Sequence, residues 1–239
     1  MIMKFEDLKR LYEEKRIKYG NDAYMHISEL LQEAKEIHRK DWEKSHTPQK
    51  DHGQSWKPFK GKNLEKLIIY IIEREVTALG LKITTDEKLE STKLTEEFSR
   101  VRRNLVVHYG EYDVVPDSDI VIYDPEDFQV IAVISSKVTL RERIAQTAYW
   151  KKKLDDDPVT QHIKSFFVSP DEDGDLINRL SASGNASRGF KGRIIVEYDT
   201  DGAYVLREVE ESEKVKTFPK LIDDIKRIRN EKKKPKSNR

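Results

Sequence analysis

Near the start of the chain the apolar residues fall at helical spacing: Phe5, Leu8, Leu11 and Tyr12, then Tyr24, Ile27, Leu30, Leu31, Ala34 and Ile37. Recurrence every three to four positions gathers such residues on one side of a helix. Two amphipathic helices are therefore predicted, the second ending near His46. The segment Thr47 to Lys60, TPQKDHGQSWKPFK, carries two prolines and a glycine and reads as a break. A strongly apolar third helix follows in NLEKLIIYIIEREVTAL, with Asn63 placed to cap it and Gly80 to end it.

Beyond Gly80 the pattern changes. A short strand is expected at Leu81 to Thr84 and a polar helix at about Thr95 to Arg103. Short β-branched runs come next, Leu105 to Tyr109, Ile120 to Tyr123 and Val130 to Ile134, separated by Asp, Pro and Gly. Leu140 to Leu154 predicts a helix closed by the DDDP sequence at Asp155 to Pro158. Strands are expected at Ile163 to Val168, Ile194 to Tyr198 and Tyr204 to Leu206, with a helix over Asp175 to Ser181 and a last helix over about Pro219 to Arg229. Helices before, within and after a central set of strands make an α/β core, a mixed central β-sheet flanked by helices. The expected organisation is an N-terminal helical region at 1–60, a main domain at 61–230 and a disordered basic tail at 231–239.

Composition narrows the class without naming a partner. Lys and Arg number 45 against 44 Asp and Glu, so any affinity for nucleic acid comes from where charges lie and not from their sum. The absence of cysteine excludes disulfides and thiolate metal sites. No apolar run approaches a bilayer span and no signal-peptide core is present, so a soluble, cytoplasmic chain without a membrane partner is expected. The histidines show no metal-ligand spacing.

The candidate chemistry sits between the central strands. Side chains alternate across a strand, so in VIAVISSK the residues Ile131, Val133, Ser135 and Lys137 share one face. Upstream, in PDSDIVIYD, Asp117 and Asp119 share a face at the head of the strand Ile120 to Tyr123. Only the turn at Asp124 to Gln129 separates the two strands, which predicts an antiparallel pair with Asp119 opposite Lys137. Such a pair suits metal-assisted phosphodiester hydrolysis, with carboxylates holding Mg²⁺ and a lysine helping to orient or deprotonate the attacking water. An ordinary cross-strand ion pair would look the same in the sequence.

These residues resemble the PD-(D/E)XK nucleases, with Pro116-Asp117-Ser118-Asp119 and Ser135-Ser136-Lys137 as the two half-motifs. Ser135 stands where the second carboxylate would be. That Ser-Xaa-Lys version is similar to type II restriction endonucleases recognising CCGG-containing sites, and Arg141-Glu142-Arg143 and the stretch RERIAQTAYWK are similar to the BsaWI-like group. The resemblance covers about Glu65 to Lys151. It implies a restriction-endonuclease-like core at 61–230, Mg²⁺ as cofactor, and Asp119, Lys137 and Ser135 in the catalytic site, with Asp119 and Asp117 as metal ligands. It also implies that the missing carboxylate comes from elsewhere. Gln146, Tyr149 and Trp150 occupy the helix after the lysine where an acid would be expected, and Glu65 on the apolar helix is the candidate, with Glu73 competing. Arg141, Glu142, Arg143 and Gln146 are the DNA-binding candidates, since arginine reads guanine O6/N7 and glutamate accepts from cytosine N4.

The activity implied is Mg²⁺-dependent cleavage of double-stranded DNA at a CCGG-containing palindrome by a homodimer or higher homo-oligomer, with a cognate DNA methyltransferase in the same cell. Two alternatives remain at this level: a repair or junction nuclease of the same fold, and a non-catalytic DNA-binding module with a degenerate core.

Overall fold

The computed structural model describes residues 3–45, 51–139, 141–177 and 191–233, with the side chains of Ser45, Arg141, Glu142 and Lys233 outside the description. Helices α1 (Phe5–Tyr19) and α2 (Ile27–Ser45), joined by a 3-10 segment (Gly20–His26), follow the apolar spacing. Helix α3 (His52–Ala78) does not follow it, because it starts inside the segment read as a break. Asp51 caps it by accepting from Gly53 N at 2.8 Å. Pro58 lies within it, at the cost of one backbone donor. The first turns are held by packing: His38 Nδ1 and His52 Nε2 are 2.9 Å apart, and the His38 ring meets those of Trp56 and Phe59 at 5.5 and 4.9 Å. Asn63, expected as the cap, is an interior residue whose side-chain amide donates to Phe59 O at 2.7 Å. Gly80, at φ 74°, does follow the helix end, in the left-handed region that glycine favours.

The chain continues through β1 (Lys82–Thr84), the single turn α4 (Asp86–Leu89), α5 (Glu96–Arg103), β2 (Val107–Tyr109), β3 (Tyr112–Val114), β4 (Ile120–Tyr123) and β5 (Val130–Ser136). Then come α6 (Arg141–Asp155), β6 (Lys164–Ser169), α7 (Lys191–Asp199), β7 (Gly202–Val205), β8 (Val215–Thr217) and α8 (Lys220–Lys233). Six strands form one sheet in the order β1-β4-β5-β6-β7-β8, antiparallel from β1 to β5 and parallel from β5 to β8. β2 and β3 make a separate hairpin. One face of the sheet, with Ile120, Ile122, Ala132, Ile134, Phe166 and Val168, shares a core with α1, α2, α3 and α8. The other packs on α5 and α6 through Val121, Val133 and Leu154, and on α6 and α7 through Phe167, Ile144 and Val196. This is the mixed, helix-flanked α/β sheet expected. The N-terminal helices lie on the main core.

Several local readings change. Ile194 to Tyr198, expected as a strand, is part of α7. Its buried positions are Arg193 and Val196, a helical spacing masked because the first is an arginine. Gly192 brings this helix close to α6, since a Cβ there would stand 2.8 Å from Ile144 Cδ1. Strands β3 and β8 were not anticipated. Residues 175–177 of the helix expected at Asp175 to Ser181 are not helical, and the rest of it lies outside the described residues. Helix α8 extends to Lys233, into the stretch read as tail, and Lys232 Nζ lies 3.1 Å from Asp124 Oδ2 and 2.6 Å from Asp127 Oδ2. Residues 234–239 of that tail lie outside the described residues.

The buried Arg193 ties α7 to the connections that follow β6 and β7. Its guanidinium, fully covered, donates to Leu176 O and Glu210 O at 2.6 Å each and to Glu197 Oε1 at 3.3 Å. Removing one member of a buried charged network strands its partners. Arg193→Met is therefore expected to lower unfolding free energy by about 3 kcal/mol, read from the urea midpoint; a change within about 0.5 kcal/mol would mean that these carbonyls find other donors.

Candidate functional site

The β4–β5 hairpin builds the centre of the site. Ile120 pairs with Ile134 and Val121 with Val133, so Asp119 stands level with Ser135, two residues short of Lys137. The extra residue at the other end of this hairpin, where Tyr123 pairs with Val130 and leaves Ile131 unpaired, is a bulge remote from the chemistry. Asp119 is gripped on both oxygens. Lys137 Nζ donates to Oδ1 at 2.7 Å, and the backbone N of Ser136 donates to Oδ2 at 2.6 Å. The two side chains are 14% and 25% exposed, so the pair is shielded from water more than a surface ion pair. Lys137 N bonds Val168 O at 3.2 Å, which fixes the strand end that carries the amine. Ser135 is buried in the same strand. Ser136 Oγ is buried too, with no hydrogen-bond partner among the described residues.

Two further carboxylates face this pair. Glu65, half-buried on α3, has its carboxyl raised to about 7 by burial and by the charges of Asp119 and Asp86, against the pull of Lys137. Asp86 was not a candidate from the sequence. Thr84 pairs with Val121, and Asp86 lies two residues beyond Thr84 as Asp119 lies two residues before Val121, so antiparallel pairing brings the two acids to one sheet edge. Burial raises Asp86 to about 6, helped by Asp119 and Asp117 and opposed by a bond from Glu87 N. No local pattern points to it, because β1 and β4 are distant in sequence and their register is not written in either strand. Glu73, the competitor of Glu65, is exposed.

Asp117 turns elsewhere. Its Oδ2 accepts from Gln146 Nε2, and Arg143 Nη1 lies 3.6 Å away. Arg143 Nη1 also donates to Gln146 Oε1 at 2.9 Å. Asp117, expected as a metal ligand, thus has its partners on α6. Arg143 and Gln146 stand on one face of that helix, three residues apart. The side chains of Arg141 and Glu142, the other two DNA-binding candidates, lie outside the described residues.

Residues 95–231, which include the hairpin and all of α6, match the family described as BsaWI restriction endonuclease type 2. The chain belongs to the BsaWI family of type II restriction endonucleases. A Methanocaldococcus jannaschii protein named provisionally as the type II restriction enzyme MjaVIP is 38% identical over 211 residues, covering 84% of this chain and 92% of that protein. A Helicobacter pylori protein, named provisionally as the type II restriction enzyme HpyAORF263P, is 38% identical over 116 residues, 48% of this chain and 60% of that one. The solved structure described as restriction endonuclease PspGI with substrate DNA superposes with a TM-score of 0.51 at 14% identity, over 94% of this chain and 93% of that one, and so shares the fold. A BsaWI-family enzyme is a hydrolase, a site-specific deoxyribonuclease. That decides between the alternatives left open by the sequence.

The BsaWI-family site offers hard oxygen donors of the kind magnesium takes. Among the described residues no group of three or more His, Asp or Glu side chains is arranged to hold an ion unaided. Magnesium does not require one, since it binds through one or two carboxylates completed by water and substrate phosphates. The Glu65 and Asp86 carboxyls, raised first by burial and then by neighbouring carboxylates, would be relieved by a cation.

That crowding has a cost in stability. Folded Glu65 keeps its proton to about 7, while the unfolded chain releases it near 4.5, so stability falls as pH rises through this window. Asp86, raised from 3.8 to about 6, acts in the same direction. Glu65→Gln is expected to raise the melting temperature by a few degrees at pH 8 in metal-free buffer and to leave it unchanged at pH 4. An equal shift at both values would show that ionisation of the half-buried carboxyl is not the cause.

Proposed function

We propose that this BsaWI-family endonuclease cuts both strands of a palindromic, CCGG-containing DNA site with Mg²⁺, using the Ser-Xaa-Lys form of the nuclease motif. The observation that carries this reading is the Asp119 carboxylate, held at once by the Lys137 amine and the Ser136 backbone at the end of a rigid hairpin. Asp119 and Glu65 would hold the ion, with Asp86 close enough in charge to join them. Bound magnesium would supply charge for the scissile phosphate and lower the pKa of an attacking water.

The protein's own groups do the rest. Lys137 carries donors beyond the one it gives Asp119, and these can orient the water or meet a phosphate oxygen. Ser135, buried where a carboxylate would stand in the fuller motif, leaves the metal's second acid to α3. A helix with Arg143 and Gln146 at its N-terminal end, just past the lysine, is suited to a major groove, and Arg141 and Glu142 extend the same run. Cutting both strands of a palindrome requires two sites related by a twofold axis, so the working form is a homodimer or a larger assembly of dimers. A cognate methyltransferase would protect the host's own sites.

Plasmid digestion tests this reading. The wild-type protein with Mg²⁺ is expected to give discrete fragments whose ends share one palindromic sequence, and chelation should stop the reaction. Lys137→Ala should lower the cleavage rate by about 10²–10⁴-fold while retaining binding to the same site in a gel-shift assay. A smear in place of fragments, or a Lys137→Ala rate equal to wild type, would contradict the proposal.

A further inference from the structure

We infer that Asp117 is a positioning residue for the DNA-reading end of α6, binding Gln146 and Arg143 into one frame with the catalytic strand, and is not a metal ligand. The inference rests on the reading above that α6 meets DNA, and it assigns to one half of the acidic motif a task separate from cleavage.

Three side chains close a ring. Gln146 Nε2 donates to Asp117 Oδ2, Gln146 Oε1 accepts from Arg143 Nη1 at 2.9 Å, and that same Nη1 lies 3.6 Å from Asp117 Oδ2. The chemistry fixes the amide's orientation: a guanidinium only donates and a carboxylate only accepts, so the Gln146 oxygen must face Arg143 and its nitrogen Asp117. Among the described residues the contacts of the Arg143 guanidinium are all through Nη1, which leaves Nε and Nη2 for a base edge. Asp117 is itself mounted firmly, because its neighbours Pro116 and Ser118 are buried and Ser118 Oγ donates to Pro116 O at 3.3 Å. The next residue is Asp119, whose two oxygens are committed to Lys137 and Ser136. Through four consecutive residues the groups that would read sequence and the group that would cut share one support.

Stability does not explain the ring. Arg143 and Asp117 are 52% and 40% exposed, and ion pairs that open to solvent contribute little to folding. Preorganisation does explain it. Long side chains lose rotamer freedom when they bind, and ordering them beforehand spares a factor of about 2–10 in affinity for each. A guanidinium and an amide held at a set distance from the scissile position would also favour the cognate base pairs over others, since a mismatched edge cannot be met by swinging the side chains.

The test is steady-state cleavage by full-length Asp117→Ala, Asp117→Asn, Arg143→Ala and the Asp117→Ala/Arg143→Ala double variant, on the duplex found by wild-type digestion and on duplexes with single base-pair changes. Asp117→Ala is expected to raise KM about tenfold, with a smaller fall in kcat, and to narrow the kcat/KM ratio between cognate and altered duplexes. Its half-saturating Mg²⁺ concentration should match wild type. Asp117→Asn, which still accepts from Gln146, should fall between. On the Arg143→Ala background the Asp117 change should cost clearly less than it does alone, because only Gln146 is then left for it to hold. A severalfold rise in half-saturating Mg²⁺ with collapse of kcat would make Asp117 a metal ligand and overturn the inference. Additive effects, or an unchanged KM, would reduce the ring to a surface contact and overturn it as well. If Arg143→Ala itself leaves discrimination intact, the DNA-reading role of α6 fails and the positioning role fails with it, an outcome separate from the case in which only the Asp117 variants are silent.

Discussion

The site depends on how Asp119 is held. One oxygen takes the Lys137 amine at 2.7 Å and the other takes the Ser136 backbone N at 2.6 Å. The second bond matters as much as the first, because a backbone donor at the end of a paired strand has no rotamer of its own to lose. Lysine alone would be a flexible partner. With the strand's own N–H on the carboxylate, the acid's position is set by the sheet, and the sheet is set by Ile120 and Ile134 packing under α3.

That arrangement puts the fold and the site in partial opposition. The sheet edge gathers Asp119, Asp86 and Glu65 into partly buried space, where burial, and then the Asp119 charge, raise the proton affinity of Glu65 and Asp86. A chain selected for stability alone would place polar or apolar groups there. The crowding suits the proposed reaction, in which a cation would be drawn to a phosphate. The large apolar cores on both sheet faces, and the buried Arg193 network at the far end, supply rigidity away from that strain. Asp117, two residues from Asp119, adds to the charge felt by Asp86 but takes its own hydrogen-bond partner from α6.

The legibility of the site followed sequence distance. The β4–β5 hairpin was readable because both strands alternate, their connection is short, and a register one residue out would bury Lys137 or Asp119 in the core. The meeting of Asp119 and Lys137 is therefore legible in the sequence alone. Asp86 was not, because it reaches the site through the pairing of β1 with β4, across more than thirty intervening residues. Helix α7 was missed for a different reason. Ile194, Ile195 and Val196 carry β-branched side chains, and tertiary packing around Arg193 overrode that local preference. The start of α3 was hidden by Pro58 and Gly53, whose cost is met by the His38, Trp56 and Phe59 contacts, which no local pattern announces. The ring of Asp117, Gln146 and Arg143 needed the tilt of α6 over the Pro116–Asp119 segment, a property of the folded sheet.

The most direct measurement is a crystal structure of the protein on its cognate duplex with Ca²⁺ in place of Mg²⁺, so that the phosphodiester stays uncut. The account predicts one ion touching both Asp119 and Glu65, with Lys137 Nζ within hydrogen-bond distance of the scissile phosphate or of the water in line with it. An ion held by other residues, with Lys137 and Asp119 still closed on each other and remote from the DNA, would contradict it.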